Sequence, residues 1–434
     1  MAAVWQTPPT PPPALRRAPG RLPVPRVDAV PAPPLRLDRR RLLGWGGALA
    51  AGLAVGGCTG DEPPAPAPWQ QRLRTATPAG PRRIGVLGDS VAFGSGSSSP
   101  KPLHSLVGLL RQSLARTYGD GGTGWLLLNQ QAWPVTAQNR GWDPRLVVHG
   151  PVTKIAAGLF RRTCAGLPDG GPDGSRAHVE LTAEGRTATT LVLAQPGGRS
   201  QQLVSVDGGA PVALRNVLTG GPEPDVAPRG GPVAGHLVSE VDLGSPGRHT
   251  VRVWASGGPV HLVAVGTGTG AGPYVVDELA VAGESLETFL GPDDPARESF
   301  FGLPFLDTLA EDLLLVELGA NDYNAGRPLD AVEADLRRLV TRQQATGGDV
   351  ALCFPPVSSP TLYRPGTPTY ADYTTRWTAV ADDLGIGFCD LSRIWGDTFA
   401  EASALQPPRY ADLLHPTDAG AADLAARVQD FLGL

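Results

Sequence analysis

The stretch Ile84-Gly85-Val86-Leu87-Gly88-Asp89-Ser90 decides the reading of this chain. A short apolar run ends in a glycine-aspartate turn that delivers a serine, the pattern of a buried strand handing over to a helix. Helical spacing follows in Leu103, Leu106, Leu109, Leu110 and Leu114. The same rhythm returns late in the chain, where Val275 to Val281, Leu313 to Leu318, Val350 to Phe354 and Gly387 to Asp390 read as strands. Val332, Leu336, Leu339 and Val340 mark one helix among them, and Tyr373, Trp377, Val380 and Leu384 another. A last helix starts near Thr417, with Leu424, Val428 and Phe431 inward. Short apolar strands alternating with amphipathic helices predict an α/β fold with a parallel sheet covered on both faces. Reactive groups on such a sheet gather at the carboxyl ends of its strands.

Between about Asp143 and Gly272 the helical spacing stops. Short alternating segments such as His178-Val179-Glu180-Leu181, Thr190-Leu191-Val192-Leu193 and Thr250-Val251-Arg252-Val253-Trp254 are separated by Gly, Pro and Asp turns. That texture predicts an all-β sandwich inserted after the first strand-helix unit, with its ends close together. The expected organisation is a leader over 1–58, a Pro-rich linker over 59–81, a first α/β part over 82–143, the insert over 144–274 and a second α/β part over 275–434.

Two domains plus tails suit 434 residues, and 56 Gly with 45 Pro imply many turns and an unstructured stretch. A formal charge of −5 gives no reason to expect a nucleic-acid partner. Arg39-Arg40-Arg41-Leu42-Leu43, an uncharged run to Gly57 and then Cys58 describe an export signal too short to be a good membrane span. Val55-Gly56-Gly57-Cys58 resembles a bacterial lipobox, which implies lipidation at Cys58, a membrane partner through that anchor, and a place in the cell envelope on the outer face of the cytoplasmic membrane, or secretion. Cys164, Cys353 and Cys389 show no zinc spacing and read as buried thiols.

An alcohol becomes a nucleophile at neutral pH only when an adjacent base takes its proton. Ser90 is the candidate alcohol and His415 the candidate base, because Asp412 precedes it at a spacing that lets one loop present both. The carboxylate would fix the imidazole tautomer. An oxyanion hole would then need the backbone N–H of Ser90, the Asn321 amide in Gly319-Ala320-Asn321-Asp322 and one further N–H. Gly283 in Val281-Ala282-Gly283-Glu284-Ser285 is the candidate for that third donor, with the glycine-rich Gly119 to Gly124 as its rival.

Gly88-Asp89-Ser90, Gly283, Gly319-Ala320-Asn321-Asp322 and Asp412-x-x-His415-Pro416 resemble the blocks of the SGNH (GDSL-type) serine hydrolases, over roughly 83–143 and 275–434. The resemblance implies a flavodoxin-like three-layer α/β/α fold, no metal or other cofactor, and ester hydrolysis through an acyl-enzyme. The β-rich insert is similar in position to the jelly roll of bacterial peptidoglycan O-acetylesterases. That implies an acylated small molecule or polysaccharide as substrate, with acetyl the expected group. The rival readings are a lipase, phospholipase or thioesterase for longer chains, and a non-catalytic glycan-binding lipoprotein.

Each motif also has a plainer reading. Gly-Asp-Ser alone is a common loop, Asp412 could cap a helix and Asn321 could close a strand as an Asx turn. Their conjunction favours chemistry. Asp89 and Asp322 read as turn-holding residues. His104, His149, His178, His236, His249 and His261 have no partner at ligand spacing, so no metal site is expected. Trp254 reads as core, and Gly266-Thr267-Gly268-Thr269-Gly270 lacks the helix start of a nucleotide loop.

Overall fold

The computed structural model describes residues 66–75, 80–128, 143–155, 163–194, 200–215, 235–291 and 302–434. The expected leader, Cys58 and residues 59–65 and 76–79 of the Pro-rich linker lie outside them. Among the described residues, Arg82–Gly88 (β1), Tyr274–Ala280 (β11), Leu313–Glu317 (β12), Asp349–Phe354 (β13) and Gly387–Asp390 (β14) form a parallel block in the order β14-β13-β12-β1-β11. Counting β11 as the second strand of the block, this is the 2-1-3-4-5 order of flavodoxin-like sheets. The direction of winding reverses between β1 and β12, and the crevice for a ligand opens at their carboxyl ends.

Side chains on a strand alternate between faces, and here both faces are buried. Leu87, Leu279, Leu314, Val316 and Phe354 pack on one side with helices Leu329–Ala345 and Tyr370–Leu384. Ile84, Val86, Val276, Leu315 and Cys353 pack on the other with helices Leu106–Tyr118 and Asp418–Leu432. Cys353 and Cys389 are register partners of β13 and β14 and are buried thiols, as is Cys164.

Two local expectations change. The helix read through Leu103 is broken: Lys101–His104 ends at Ser105, whose hydroxyl accepts from Gly108 N–H at 3.0 Å and caps a new helix. Leu103 therefore stands 50% exposed and not inward. Within the expected linker, Pro68–Arg74 is a helix that buries Trp69 and Leu73 beside Phe431, with the two rings 5.1 Å apart.

The β-rich stretch contains Leu146–His149 (β3), Thr153–Ile155 (β4), Cys164–Leu167 (β5), His178–Leu193 (β6), Gln201–Val206 (β7), Val212–Leu214 (β8), His236–Ser256 (β9) and Val260–Gly268 (β10). It does not stand apart. Gly124–Leu127 (β2) pairs with β11 on one edge and β10 on the other, so the sheet runs unbroken from parallel to antiparallel strands. The long strands β6 and β9 pair twice, with a register shift between Gly185 and Thr187. Val179, Leu181, Val192, Leu237, Val241, Val251 and Val253, from both halves of each, meet in one further core. Leu191, Leu193 and Val238 on the opposite face join the core of the parallel block, where His236 stacks on Phe305 at 3.9 Å. Trp254 is buried and donates to the Gly171 carbonyl at 3.0 Å, a core role. Asp207 (φ 52°) and Gly208 (φ 74°) form the tight turn that ends β7, closed by Gly209 N–H on the Val206 carbonyl.

Leu87 sits fully buried in the central strand, one turn before the serine. Leu87→Ala is expected to lower the unfolding free energy in urea by about 2–5 kcal/mol. Leu103→Ala, on the exposed turn, is expected to change it by less than about 0.5 kcal/mol.

Candidate active site

The first turn is built by close approach. Gly88 ends β1, and a Cβ there would lie 2.5 Å from that of Ala92, so only glycine lets the following helix Ser90–Phe93 fold back on the strand. Asp89 caps that helix through its Oδ1, which accepts from Val91 N–H at 2.8 Å. Ser90 is thereby held at the carboxyl end of β1, 4% exposed as a residue.

The last turn comes from the opposite end of the chain. Tyr410 and Pro416 form a β-bridge, Ala411 N–H donates to the His415 carbonyl at 2.8 Å, and Ser359 N–H donates to the Leu413 carbonyl at 2.8 Å. Gly96 lies against this loop: a Cβ there would come within 2.7 Å of the His415 Cβ. The loop therefore presses onto the segment just after Ser90.

These supports bring three expected residues into one line. His415 Nδ1 lies 2.7 Å from Asp412 Oδ2, and His415 Nε2 lies 2.9 Å from Ser90 Oγ. A carboxylate can only accept, so Nδ1 carries the proton and Nε2 presents its lone pair to the serine hydroxyl. Asp412 Oδ1 in turn accepts from the N–H groups of Leu414 and His415, each at 2.8 Å. Partial burial pushes the Asp412 carboxyl up, but the His415 ring and these N–H groups outweigh it and hold it below the usual aspartate range. Such an arrangement can take a proton from an alcohol and return it to a leaving group.

The other two turns meet the first through hydrogen bonds. Asn321 Nδ2 donates to the Glu284 carbonyl at 2.8 Å and to Asp89 Oδ2 at 3.3 Å. Asp322 Oδ2 accepts from Leu286 N–H at 3.1 Å, and its Oδ1 pairs with Arg327 at 2.7 Å. Asp89 and Asp322 thus hold turns, as read. Gly283 (φ 82°) occupies the turn after β11, whose Ala280 is the register partner of Gly88. Its rival lies elsewhere: Gly121 abuts Tyr274, which is the partner of Arg82 at the amino end of β1. Geometry therefore favours Gly283 over Gly119 to Gly124.

One supporting residue escaped the sequence reading. Glu317, buried at the end of β12, accepts the Ala92 N–H on its Oε2 at 3.1 Å and braces the serine turn from below. Burial first, and Asp89 second, push its carboxyl well above the usual range. Its only sequence signal was a charge at the end of an apolar strand. Burial likewise pushes Asp89 up to about 7, helped by Asp322 and opposed by Val91 N–H and the Asn321 amide.

Residues 246–422 match the family model described as the GDSL-like lipase/acylhydrolase family. That span holds Gly283, Asn321, Asp412 and His415, and leaves Ser90 upstream of it. No curated protein matches the chain. Among solved structures, a peptidoglycan O-acetylesterase is similar with a TM-score of 0.59 at 18% identity, over 85% of this chain and 95% of that one. An active-site mutant of a family two carbohydrate esterase from Clostridium thermocellum aligns with a TM-score of 0.29 at 13% identity, over 66% of this chain and 98% of that one. The first likeness is one of fold. It extends over more of the chain than the parallel-block segments supply, and so takes in the β-rich stretch.

Asp89 binds its proton more tightly folded than unfolded. Its contribution to stability is therefore full below about pH 4 and is lost as the pH rises towards about 7, and Glu317 acts with the same sign. Unfolding free energies measured in urea across this window should fall less steeply in Asp89→Asn than in the unaltered chain, by up to about 1.4 kcal/mol per pH unit. Equal slopes would remove Asp89 from the linkage.

Proposed function

We propose that this chain is an esterase of the GDSL-like lipase/acylhydrolase family, whose model matches residues 246–422, and that it works through an acyl-enzyme on Ser90, with His415 as general base and acid and Asp412 as its orienting carboxylate. The unbroken line from Ser90 Oγ to His415 Nε2 to Asp412 carries the reading. As Ser90 Oγ bonds to the ester carbonyl carbon, its proton passes to Nε2 and Asp412 stabilises the imidazolium. The carbonyl oxygen gains the negative charge and is met by the N–H groups of Ser90 and Gly283 and by the Asn321 amide hydrogen that leaves its long 3.3 Å bond to Asp89. The Glu284 carbonyl already fixes the plane of that amide. Collapse breaks the ester C–O bond, and the alcohol leaves with the proton from Nε2. Water then attacks the acyl-enzyme by the same route in reverse.

The substrate we propose is a short acyl ester, acetyl first, on a cell-wall or other polysaccharide. Support comes from the fold likeness to a peptidoglycan O-acetylesterase, which spans the β-rich stretch together with the parallel block. We extend the proposal to the amino-terminus, where the lipobox-like Val55-Gly56-Gly57-Cys58 would place a lipid anchor on an exported enzyme. Among the described residues, no helix is long and apolar enough to cross a membrane.

Turnover of p-nitrophenyl acetate should exceed that of the octanoate ester, and Ser90→Ala should reduce it by about 10⁴-fold or more. His415→Ala should come close to that loss, Asp412→Ala should be milder, and Asn321→Ala should cost about 10²–10³-fold in kcat. Undiminished turnover in Ser90→Ala would refute the nucleophile. Faster turnover of octanoate would move the substrate to long-chain esters. Cys58→Ala should shift the full-length protein from the membrane to the soluble fraction, and membrane association unchanged in that variant would remove the anchor.

A further inference from the structure

On the β-rich side, the pairing of β3 with β6 sets His149 directly opposite His178, and Glu180 follows His178 by two residues on the same face. The spacing of these residues in sequence hides the group entirely, because His149 and His178 belong to different strands. One nitrogen from each ring and one Glu180 oxygen lie within 4.8 Å of one another. The two rings stack at 4.3 Å with 17° between their planes, and His178 Nε2 lies 4.0 Å from Glu180 Oε2.

The state of His178 gives this cluster its meaning. Its Nδ1 lies 2.9 Å from the Gly174 carbonyl, an acceptor, so Nδ1 carries the proton and Nε2 has a free lone pair. That Nε2 is shut off from solvent and has no hydrogen-bond partner. A buried acceptor without a donor is unfavourable. A ring whose far N–H is tied to a carbonyl, with the other nitrogen bare, has the orientation that second-shell bonds impose on metal-binding histidines. Glu180 is also held in place: Arg252 Nε donates at 2.9 Å to the same oxygen, Oε2, that lies nearest His178, and Arg252 is the register partner of Glu180 on β9. Ligating carboxylates are commonly hydrogen-bonded in this way.

We propose that His149, His178 and Glu180 form a binding site for a divalent transition-metal ion of the zinc class. Two imidazoles and one carboxylate suit such an ion and leave a fourth position for water. Tetrahedral ligands about 2.0–2.2 Å from an ion stand about 3.3–3.6 Å apart. The group closes to that spacing chiefly by rotation of His149, which is exposed at the end of β3. The bound ion would tie β3 to β6. It takes no part in the ester chemistry, and the inference does not rest on the Ser90 assignment.

Zinc chloride titrated calorimetrically into the full chain is expected to bind with one saturable equivalent at this site and to raise the thermal midpoint. His149→Gln and Glu180→Gln should each weaken binding at least about tenfold, and the double variant His149→Gln, His178→Gln should lose both the heat and the thermal shift. His149 is exposed, so His149→Gln should hydrolyse p-nitrophenyl acetate at the unaltered rate, which separates loss of the ion from loss of the fold. Absence of a saturable equivalent overturns the proposal. So does binding of undiminished strength in the double variant, as would occur if zinc instead chose His415 and Asp412.

Discussion

β1 is hydrogen-bonded to a neighbour along each edge and covered by packed side chains on each face. The chain leaving it is therefore delivered to the carboxyl end of the sheet, at the point where the winding reverses. Gly88 and Asp89 convert that constraint into a site. The glycine admits Ala92 against the strand, and the aspartate supplies the first hydrogen bond of the turn. Glu317 reaches across from β12 to hold the same turn from beneath. Ser90 is thus presented from a buried strand end, while Asp412 and Leu413 belong to an exposed loop.

That combination explains why buried carboxyl groups collect around the serine. Asp89 holds a backbone N–H of its own turn, Glu317 and Asp322 hold those of neighbouring turns, and burial pushes each toward its neutral form. Asn321 joins two of these turns by donating to Asp89 and to the Glu284 carbonyl. The network joins residues far apart in the chain, so the positions of Ser90, Gly283 and Asn321 depend on one another.

The β-rich stretch follows a different logic. By pairing with both β11 and β10, β2 turns an insertion into an extension of the sheet, and the outer face of β6 and β9 shares a core with the helices of the parallel block. Its geometry is thereby coupled to the hydrolase core and not hung from it by a linker. The short helix Pro68–Arg74 shows the same economy at the amino side, where a stretch rich in proline still docks two apolar residues.

Local pattern alone determined the strands of the parallel block, the helices with a continuous apolar stripe, and the choice of Ser90, Asn321, Asp412 and His415 as candidates, because alternation and turn chemistry act within a few residues. Trp254, Cys353 and Cys389 were legible as core for the same reason. The break at Ser105 was not, since a capping hydroxyl decided it against an unbroken leucine spacing. Neither were the bridging role of β2, the docking of Trp69, the brace from Glu317 or the meeting of His149 with His178 and Glu180. Each of these depends on strands or turns brought together from distant parts of the chain. Pairing register and burial are properties of the packed sheet, and only the tertiary structure decides them.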